Sequence, residues 1–135
     1  MDKPGAYITH IKESCLYVKD TAISKQFYMD KLGFPCIVHE EGKHVFFRVG
    51  TSVLLCFVAE DSRKKTYLPA HFAQGEQHFA FEVAKADYEQ TRALCVAQGI
   101  TIEQDEVWGN AARSFYFRDP DRHLLEIVEH GLWDS

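Results

Sequence analysis

The chain contains an internal repeat, and this repeat restricts the possible folds more than any other feature of the sequence. The segment HVFFRVGTSVLLCFV begins at His44, and the segment SFYFRDPDRHLLEIV begins at Ser114. The two align without a gap, 70 residues apart, with aromatic on aromatic and leucine pair on leucine pair. We therefore expect two copies of one supersecondary unit, over about residues 8–59 and 76–130. The polar stretch between them indicates a linker inside a single domain of 135 residues.

Each module shows the same order of signals, β-α-β-β-β. Apolar alternation predicts strands over residues 13–18, 37–40, 45–49 and 53–58 of the first module. In the second module it predicts strands over residues 78–83, 101–106, 114–118 and 124–128. The first helix should begin at Asp20 or Thr21 and stop at Gly33, with an apolar stripe of Ile23, Phe27 and Leu32. The second helix is predicted within residues 87–99.

Alternation along the strands defines two faces with different compositions. One face is almost wholly apolar and should be covered by helices. The other face mixes aromatic and ionisable side chains. On the last strand of the first module, this second face is assigned Leu54, Cys56 and Val58. A curved sheet that opens as a cup for a ligand has such a face. The predicted class is α+β: two βαβββ modules form a curved mixed sheet, an open cup with its helices outside.

Composition excludes several classes of function. The formal net charge is −5 and the basic residues are scattered, which disfavours nucleic-acid binding. There is no apolar run near the ~20 residues of a membrane span and no secretory signal, so a cytoplasmic protein is expected. The four cysteines are far apart without a C-x-x-C pair, which favours reduced, packed thiols.

Four segments together resemble the vicinal oxygen chelate superfamily: CLYVKD and FYMDKLGF in the first module, QHFAFEV and SFYFRDPDRHLLEIV in the second. That group includes glyoxalase I, fosfomycin-resistance enzymes, extradiol dioxygenases and bleomycin-resistance proteins. The resemblance covers about residues 8–129 and implies the two-module cup, often completed across a homodimer. It is specific for the fold and much less so for the reaction. Whether the modules pair within or between chains stays open.

The resemblance also implies a set of metal-ligand positions, at the start of each module's first strand and in the middle of its last strand. In this sequence they fall on Glu13, Cys56, His78 and Glu126. Glu13, His78 and Glu126 are predicted to hold a divalent ion (Mn, Fe, Ni, Zn or Mg) with positions left open for substrate. Cys56 is expected to be a small packed residue and not a thiolate ligand. The metal-free alternative is an ion pair of Glu126 with Arg48 or Arg118.

The expected function is a small-molecule metalloenzyme of the glyoxalase and fosfomycin-resistance type, with lyase, isomerase or thiol-addition chemistry. The alternative is metal-free sequestration of a ligand, as in bleomycin-resistance proteins. Glyoxalase I proper is disfavoured because Cys56 stands at the fourth carboxylate position, and an extradiol dioxygenase because Glu13 replaces a histidine. No residue is assigned as catalytic. The candidates for substrate contact are His44, Phe46, Cys56, Trp108, Arg113, Ser114 and Tyr116.

Overall fold

The computed structural model describes residues 1–134, and these residues form eight strands and three α-helices. The strands are β1 (Glu13–Val18), β2 (Cys36–Glu40), β3 (His44–Val49), β4 (Ser52–Val58), β5 (His78–Val83), β6 (Gln104–Val107), β7 (Arg113–Arg118) and β8 (Leu124–Glu129). The helices are α1 (Thr21–Lys25), which continues as the π-helical segment Gln26–Lys31, α2 (Ala59–Ser62) and α3 (Tyr88–Ala97). Short 3-10 turns occupy Pro4–Ala6 and Lys85–Asp87.

The strands form two four-stranded sheets with identical topology. The first sheet has the order β1-β4-β3-β2 and the second the order β5-β8-β7-β6. In each sheet the first strand runs parallel to the last, and the remaining pairs are antiparallel. The predicted α+β fold of two repeated βαβββ modules is thereby confirmed.

The first helix begins where the sequence predicts, but it buries a different face. Asp20 Oδ1 accepts hydrogen bonds from the backbone N–H groups of Ala22 at 2.9 Å and Ile23 at 3.3 Å, which satisfies donors at the helix start. The buried face includes the small hydroxyl residues Thr21 and Ser24, whereas Ile23 is 49% exposed. The predicted stripe is therefore wrong at Ile23, because a count of apolar residues cannot identify a face that contains hydroxyl side chains.

The helix-facing sides of both sheets contribute to one apolar core. Leu16, Val45 and Phe47 come from the first module, and Phe115, Phe117 and Leu125 from the second; all six are fully buried. Full burial of side chains of this size contributes roughly 1.5–3 kcal/mol each. Phe27, from the π-helical segment of the first module, lies 6.4 Å from the ring of Phe117. The two modules are therefore packed against each other on their helix sides.

Buried polar contacts fix the orientation of one module against the other. The Tyr28 hydroxyl donates to Asp119 Oδ2 at 2.6 Å, and both residues are buried. The buried imidazole of His123 accepts from the backbone N–H of Gln77 at 2.9 Å and contacts the carbonyl oxygen of Tyr17 at 2.7 Å. Since Nδ1 accepts, Nε2 carries the proton and donates to that carbonyl. These contacts tie the end of β1 to the start of β5.

The register of β4 corrects one prediction. Glu13 pairs with Val53, and Val53 pairs with Arg48, so their side chains share a face that continues through Leu55 and Phe57. The expectation that Leu54, Cys56 and Val58 lie on the ligand-facing side is wrong; Cys56 is fully buried in the core.

The reason is a difference in turn length. Arg48 pairs with Val53 in the first module, whereas Arg118 pairs with Leu124 in the second, so the second hairpin contains one extra residue. A gapless alignment cannot show this difference, and a shift of one residue moves every side chain to the other face. The structural counterpart of Glu126 is therefore Leu55.

No helix within residues 1–134 has the length and apolar character needed to cross a bilayer.

Candidate functional site

His78, Glu126 and Tyr116 come together on the face of the second sheet that points away from the helices. Glu126 in β8 pairs with Ala80 of β5 on one side and with Tyr116 of β7 on the other. His78 lies one alternation earlier on β5, so its side chain shares this face. His78 Nε2 is 3.4 Å from Glu126 Oε1, and the rings of His78 and Tyr116 stack with centroids 6.3 Å apart.

The tautomer of His78 follows from its backbone contact. His78 Nδ1 lies 2.8 Å from the carbonyl oxygen of Leu124. A carbonyl only accepts, so Nδ1 carries a proton, and in the neutral form of the ring the lone pair of Nε2 faces Glu126. A lone pair facing a carboxylate requires a proton or a cation between them. A backbone carbonyl that fixes one ring nitrogen so that the other can bind an ion is the arrangement of metal-ligating histidines.

Glu126 lacks the partners that a buried carboxylate needs. Its side chain is 7% exposed, and Oε2 has no hydrogen-bond partner anywhere in residues 1–134. Burial of an uncompensated carboxylate costs several kcal/mol, as an order of magnitude. The donor set thus fits a cation, because an orphaned carboxylate oxygen and an oriented imidazole nitrogen point to the same place.

The alternative ion pair with an arginine does not form. The guanidinium of Arg118 binds Glu103 at 2.9 Å and Glu76 at 3.1 Å. Arg48 is exposed on the first sheet, and in the described part of the chain it makes no ion pair with Glu126. The alternative of an ion pair between Glu126 and one of these arginines is therefore wrong.

Trp108, Ser114 and Tyr116 line the same region. The indole Nε1 of Trp108 donates to Ser114 Oγ at 3.0 Å, and Ser114 is fully buried. Burial raises the pKa of the Tyr116 hydroxyl; the neighbouring Ser114 acts in the opposite direction, and the Glu126 carboxylate adds to the increase. Tyr116 is therefore a neutral hydroxyl at physiological pH. The three side chains provide aromatic surface and a hydrogen-bonding group beside the His78–Glu126 pair.

Two predicted contact residues lie elsewhere. Arg113 faces the helix side of β7, where its guanidinium binds the buried Glu129 at 2.8 Å and Glu89 at 3.0 Å and covers the Tyr88 ring. Cys56 is in the core, where burial raises the pKa of its thiol well above the usual value. Strand parity corrects both predictions of ligand contact. On β7, Ser114 and Tyr116 share one face and Arg113 belongs to the other. On β4, Cys56 belongs to the face opposite to that of Leu55.

Glu13, His44 and Phe46 lie on the corresponding face of the first sheet. Glu13 begins β1 as His78 begins β5, and both residues line a broad cavity of about 740 Å³. Across residues 1–134, no three His, Cys, Asp or Glu side chains are close enough to hold one ion. His78 and Glu126 thus form a pair that Glu13 of the same chain does not complete. His44 stacks on Phe46 with ring centroids 4.5 Å apart.

A linker histidine also reaches the first sheet, which its sequence context did not indicate. The Tyr17 hydroxyl is 2.7 Å from His71 Nδ1, and the His71 ring meets the Phe57 ring edge-on at 4.5 Å. Tyr17 lies on the same face of β1 as Glu13. The contact joins residues 54 positions apart, and no local motif marks it.

Comparisons with known proteins agree with this architecture. The family model described as Glyoxalase/Bleomycin resistance protein/Dioxygenase superfamily matches residues 7–127. "Glutathione transferase FosA" of Serratia marcescens is 30% identical over 112 residues, covering 83% of this chain and 74% of that protein. The crystal structure of lactoylglutathione lyase from Agrobacterium tumefaciens superposes with a TM-score of 0.90 at 31% identity, covering 98% of this chain and 100% of that one. A glyoxalase/bleomycin resistance protein/dioxygenase from Nocardioides, 22% identical with a TM-score of 0.72 over 90% of this chain and 83% of its own, shares the fold.

Proposed function

Because this chain belongs to the Glyoxalase/Bleomycin resistance protein/Dioxygenase superfamily, we propose that it is a metalloenzyme acting on a small molecule. The divalent ion is held by His78 and Glu126 of one chain and by Glu13 of a second chain. The observation that carries the proposal is the His78–Glu126 pair, in which Nε2 of an oriented imidazole faces a buried, half-unsatisfied carboxylate at 3.4 Å.

The donor set suits a hard or borderline ion. One neutral imidazole and two carboxylates neutralise a divalent cation and favour Mn²⁺, Fe²⁺, Ni²⁺, Zn²⁺ or Mg²⁺. Three protein ligands leave coordination positions for an oxygen-bearing substrate. When bound, the ion would supply Lewis-acid polarisation of a substrate oxygen, which suits lyase, isomerase or thiol-addition chemistry.

A homodimer supplies the missing ligand. Glu13 and His78 occupy equivalent positions in the two sheets, and Glu13 does not join His78 and Glu126 within one chain. A twofold axis that places the first sheet of one chain over the second sheet of its partner would complete two identical sites. The segment before β1 supports such a contact, since Tyr7, Ile8 and Ile11 are 75%, 69% and 77% exposed.

The residues around the pair favour a substrate with an apolar or aromatic body. Trp108 and Tyr116 provide aromatic surface, and the guanidinium on this face, that of Arg118, is already bound by carboxylates. Lactoylglutathione lyase activity itself is less favoured. The first-sheet counterpart of Glu126 is Leu55, so the fourth position carries no carboxylate in this chain.

Metal-free sequestration is the second candidate, and the charge of the faces favours it. Glu13, Glu82 and Glu126 lie on ligand-facing sides of the two sheets, so a cationic ligand would be attracted. His78 as an imidazolium would then be the partner of Glu126.

Metal titration tests the proposal. Calorimetry with each of the five ions, together with elemental analysis of untagged protein, is expected to show one ion per chain. His78→Ala and Glu126→Gln should each lower metal affinity by at least about 100-fold. Loss of a metal ligand is expected to reduce affinity at least as much as loss of a residue that hydrogen-bonds to a ligand. His130→Ala is the matched control, because His130 also pairs with a carboxylate, Glu82 at 3.3 Å, but at an exposed position. If wild type binds none of the ions, or if the control and His78→Ala behave alike, the metalloenzyme is excluded and sequestration remains.

A further inference from the structure

We propose that the linker between the two modules forms an end wall of the ligand-facing cup and limits the length of the substrate that the site accepts. The wall is the imidazole ring of His71, which is held against Tyr17 and Phe57. The substrate class that follows is a short molecule with a metal-binding oxygen group at one end and an apolar body that stops at this ring. The inference rests on the proposed metal centre at Glu13 and concerns the opposite end of the same face.

Strand pairing arranges the ligand-facing side chains of the first sheet in three rows across β1, β4 and β3. The first row contains Glu13, Val53 and Arg48, the second Cys15, Leu55 and Phe46, and the third Tyr17, Phe57 and His44. Successive rows are two residues apart along a strand, which corresponds to roughly 7 Å. The third row therefore lies about 13 Å from the row that contains the proposed metal ligand.

The linker covers the third row. Phe57 is only 5% exposed although it belongs to the ligand-facing side. The His71 ring meets the Phe57 ring edge-on at 4.5 Å, and the Lys65 ammonium lies 4.9 Å from the centre of the same ring. In the second row Leu55 and Phe46 are half-buried and carry no such cover from the linker contacts just described. A ligand that lies along this face from the metal row therefore meets the linker at the third row.

Several contacts hold His71 in place although it belongs to the linker. The Tyr17 hydroxyl is 2.7 Å from His71 Nδ1, which joins the ring to β1. The hydroxyl of the buried Ser62 donates to the carbonyl of His71 at 2.8 Å, and the backbone N–H of His71 donates to the carbonyl of Ser62 at 3.3 Å. The Arg63 guanidinium lies 3.7 Å from the centre of the ring of Phe72, the next residue. The ring is thus fixed to the sheet on one side and to α2 on the other.

The space between the metal row and the wall suits an apolar body of limited length. Leu55 and Phe46 provide apolar surface in the second row. Each methylene group that is buried against such a surface should raise affinity about 4-fold. A methylene group beyond the His71 ring would have to enter water or displace the ring, so it should contribute nothing to affinity.

The test measures, by calorimetry, the affinity of straight-chain alkyl hydroxamates for the metal-loaded protein. The hydroxamate group chelates a divalent ion through two oxygen atoms, and only the alkyl chain changes from acetohydroxamate to dodecanohydroxamate. In wild type, affinity should rise about 4-fold with each methylene and stop rising at the chain length that reaches the wall. In His71→Ala the rise should continue to longer chains. In His71→Trp, whose ring is larger, it should stop at a shorter chain.

Lys64→Ala is the matched control, because Lys64 belongs to the same linker but is exposed. Its chain-length limit should equal that of wild type, and urea unfolding checks that every variant is folded. The proposal is overturned if affinity rises along the whole series in wild type, if neither substitution of His71 moves the limit, or if Lys64→Ala moves it as far as His71→Ala. In these cases binding of metal and of short hydroxamates would leave the metal centre intact. If the protein binds no metal and no hydroxamate, the metal centre itself fails, and the end wall of its substrate site with it.

Discussion

The two sheets share strand order and pairing but differ in what their matching positions carry. The first strands begin with Glu13 in one sheet and His78 in the other. At the position where the second sheet holds the buried Glu126, the first sheet holds Leu55. The neighbours differ as well: Cys15 corresponds to Ala80, and Phe46 to Tyr116. The same backbone thus carries a largely apolar face that begins with Glu13 in the first module, and a carboxylate–imidazole pair in the second.

This difference shows where the molecule accepts an energetic cost. A leucine at the middle of the last strand contributes to packing, whereas a carboxylate there loses its hydration. The second module keeps the costly residue together with a histidine that is oriented by a backbone carbonyl. A carboxylate that is unfavourable for stability, kept beside an oriented imidazole, is what we expect at a functional position.

The largest effect is expected when the second sheet is made to resemble the first. Glu126→Leu should abolish metal binding and raise the free energy of unfolding of the metal-free protein by about 1–4 kcal/mol, since a buried charge is replaced by an apolar side chain. Calorimetric titration and urea unfolding measure the two changes. Glu82→Leu, an exposed position on the same face, is the control, with stability unchanged to within roughly 0.5 kcal/mol. A Glu126→Leu variant that is less stable would contradict a buried, uncompensated carboxylate.

The next effect concerns the hairpins, where the second module has Asp119 and the first has Val49. Tyr28→Phe removes the 2.6 Å bond to the Asp119 carboxylate that joins the modules. We expect a loss of about 1.5–3 kcal/mol in urea unfolding, the usual range for a bond to a charged group. Tyr67→Phe is the matched control because Tyr67 is 94% exposed. Equal unfolding midpoints for the two variants would show that the bond does not stabilise the assembly of the modules.

A smaller effect tests the face to which Cys56 belongs. Cys56→Ser places a hydroxyl in the core and should destabilise the protein by about 1–2 kcal/mol without changing metal affinity. Cys36→Ser, at a half-buried position, should change stability by less than roughly 0.5 kcal/mol. Loss of metal binding in Cys56→Ser would instead indicate that Cys56 lies on the ligand-facing side.

The smallest effect is a difference in pH dependence between Arg113 and its first-sheet counterpart, Lys43. Arg113 lowers the pKa of the Glu129 carboxyl, so its stabilisation is present above the ordinary value of 4.5 and is lost as the pH falls through the lower folded value. The stability difference between wild type and Arg113→Ala should therefore shrink between pH 7 and pH 3. Lys43 pairs with the exposed Glu40, and Lys43→Ala should change stability by no more than about 1 kcal/mol, the range of exposed ion pairs. Urea unfolding at both pH values measures this.

The agreement between sequence and structure is best where one local signal determines the element. The strands over residues 13–18 and 78–83 have the predicted bounds, because alternation and flanking turns define them. Which side chains of β4 face the ligand side could not be predicted from the sequence. The answer depends on one extra residue in the turn of the second module, which a gapless alignment does not show. The contacts that join the modules are also beyond local patterns: Tyr28 and Asp119 are 91 residues apart, and Tyr17 and His123 are 106 apart.

The candidate site divides in the same way. The resemblance located His78 and Glu126, and the structure brings them within 3.4 Å. The lone pair of His78 and the orphaned oxygen of Glu126 depend on a backbone carbonyl and on burial, which no sequence pattern specifies. The role of Glu13 as a third ligand stays a prediction, since it requires a second chain.

The most direct test of the shared site mixes two inactive chains. Glu13→Ala and His78→Ala protein, each expected to bind no metal, are unfolded together, refolded as a mixture and titrated with the ion that wild type prefers. If each site takes Glu13 from one chain and His78 with Glu126 from the other, every mixed dimer regains one intact site with wild-type affinity. If the mixture binds no more metal than the two variants measured separately, the ligands are not shared across chains and the proposed site is wrong.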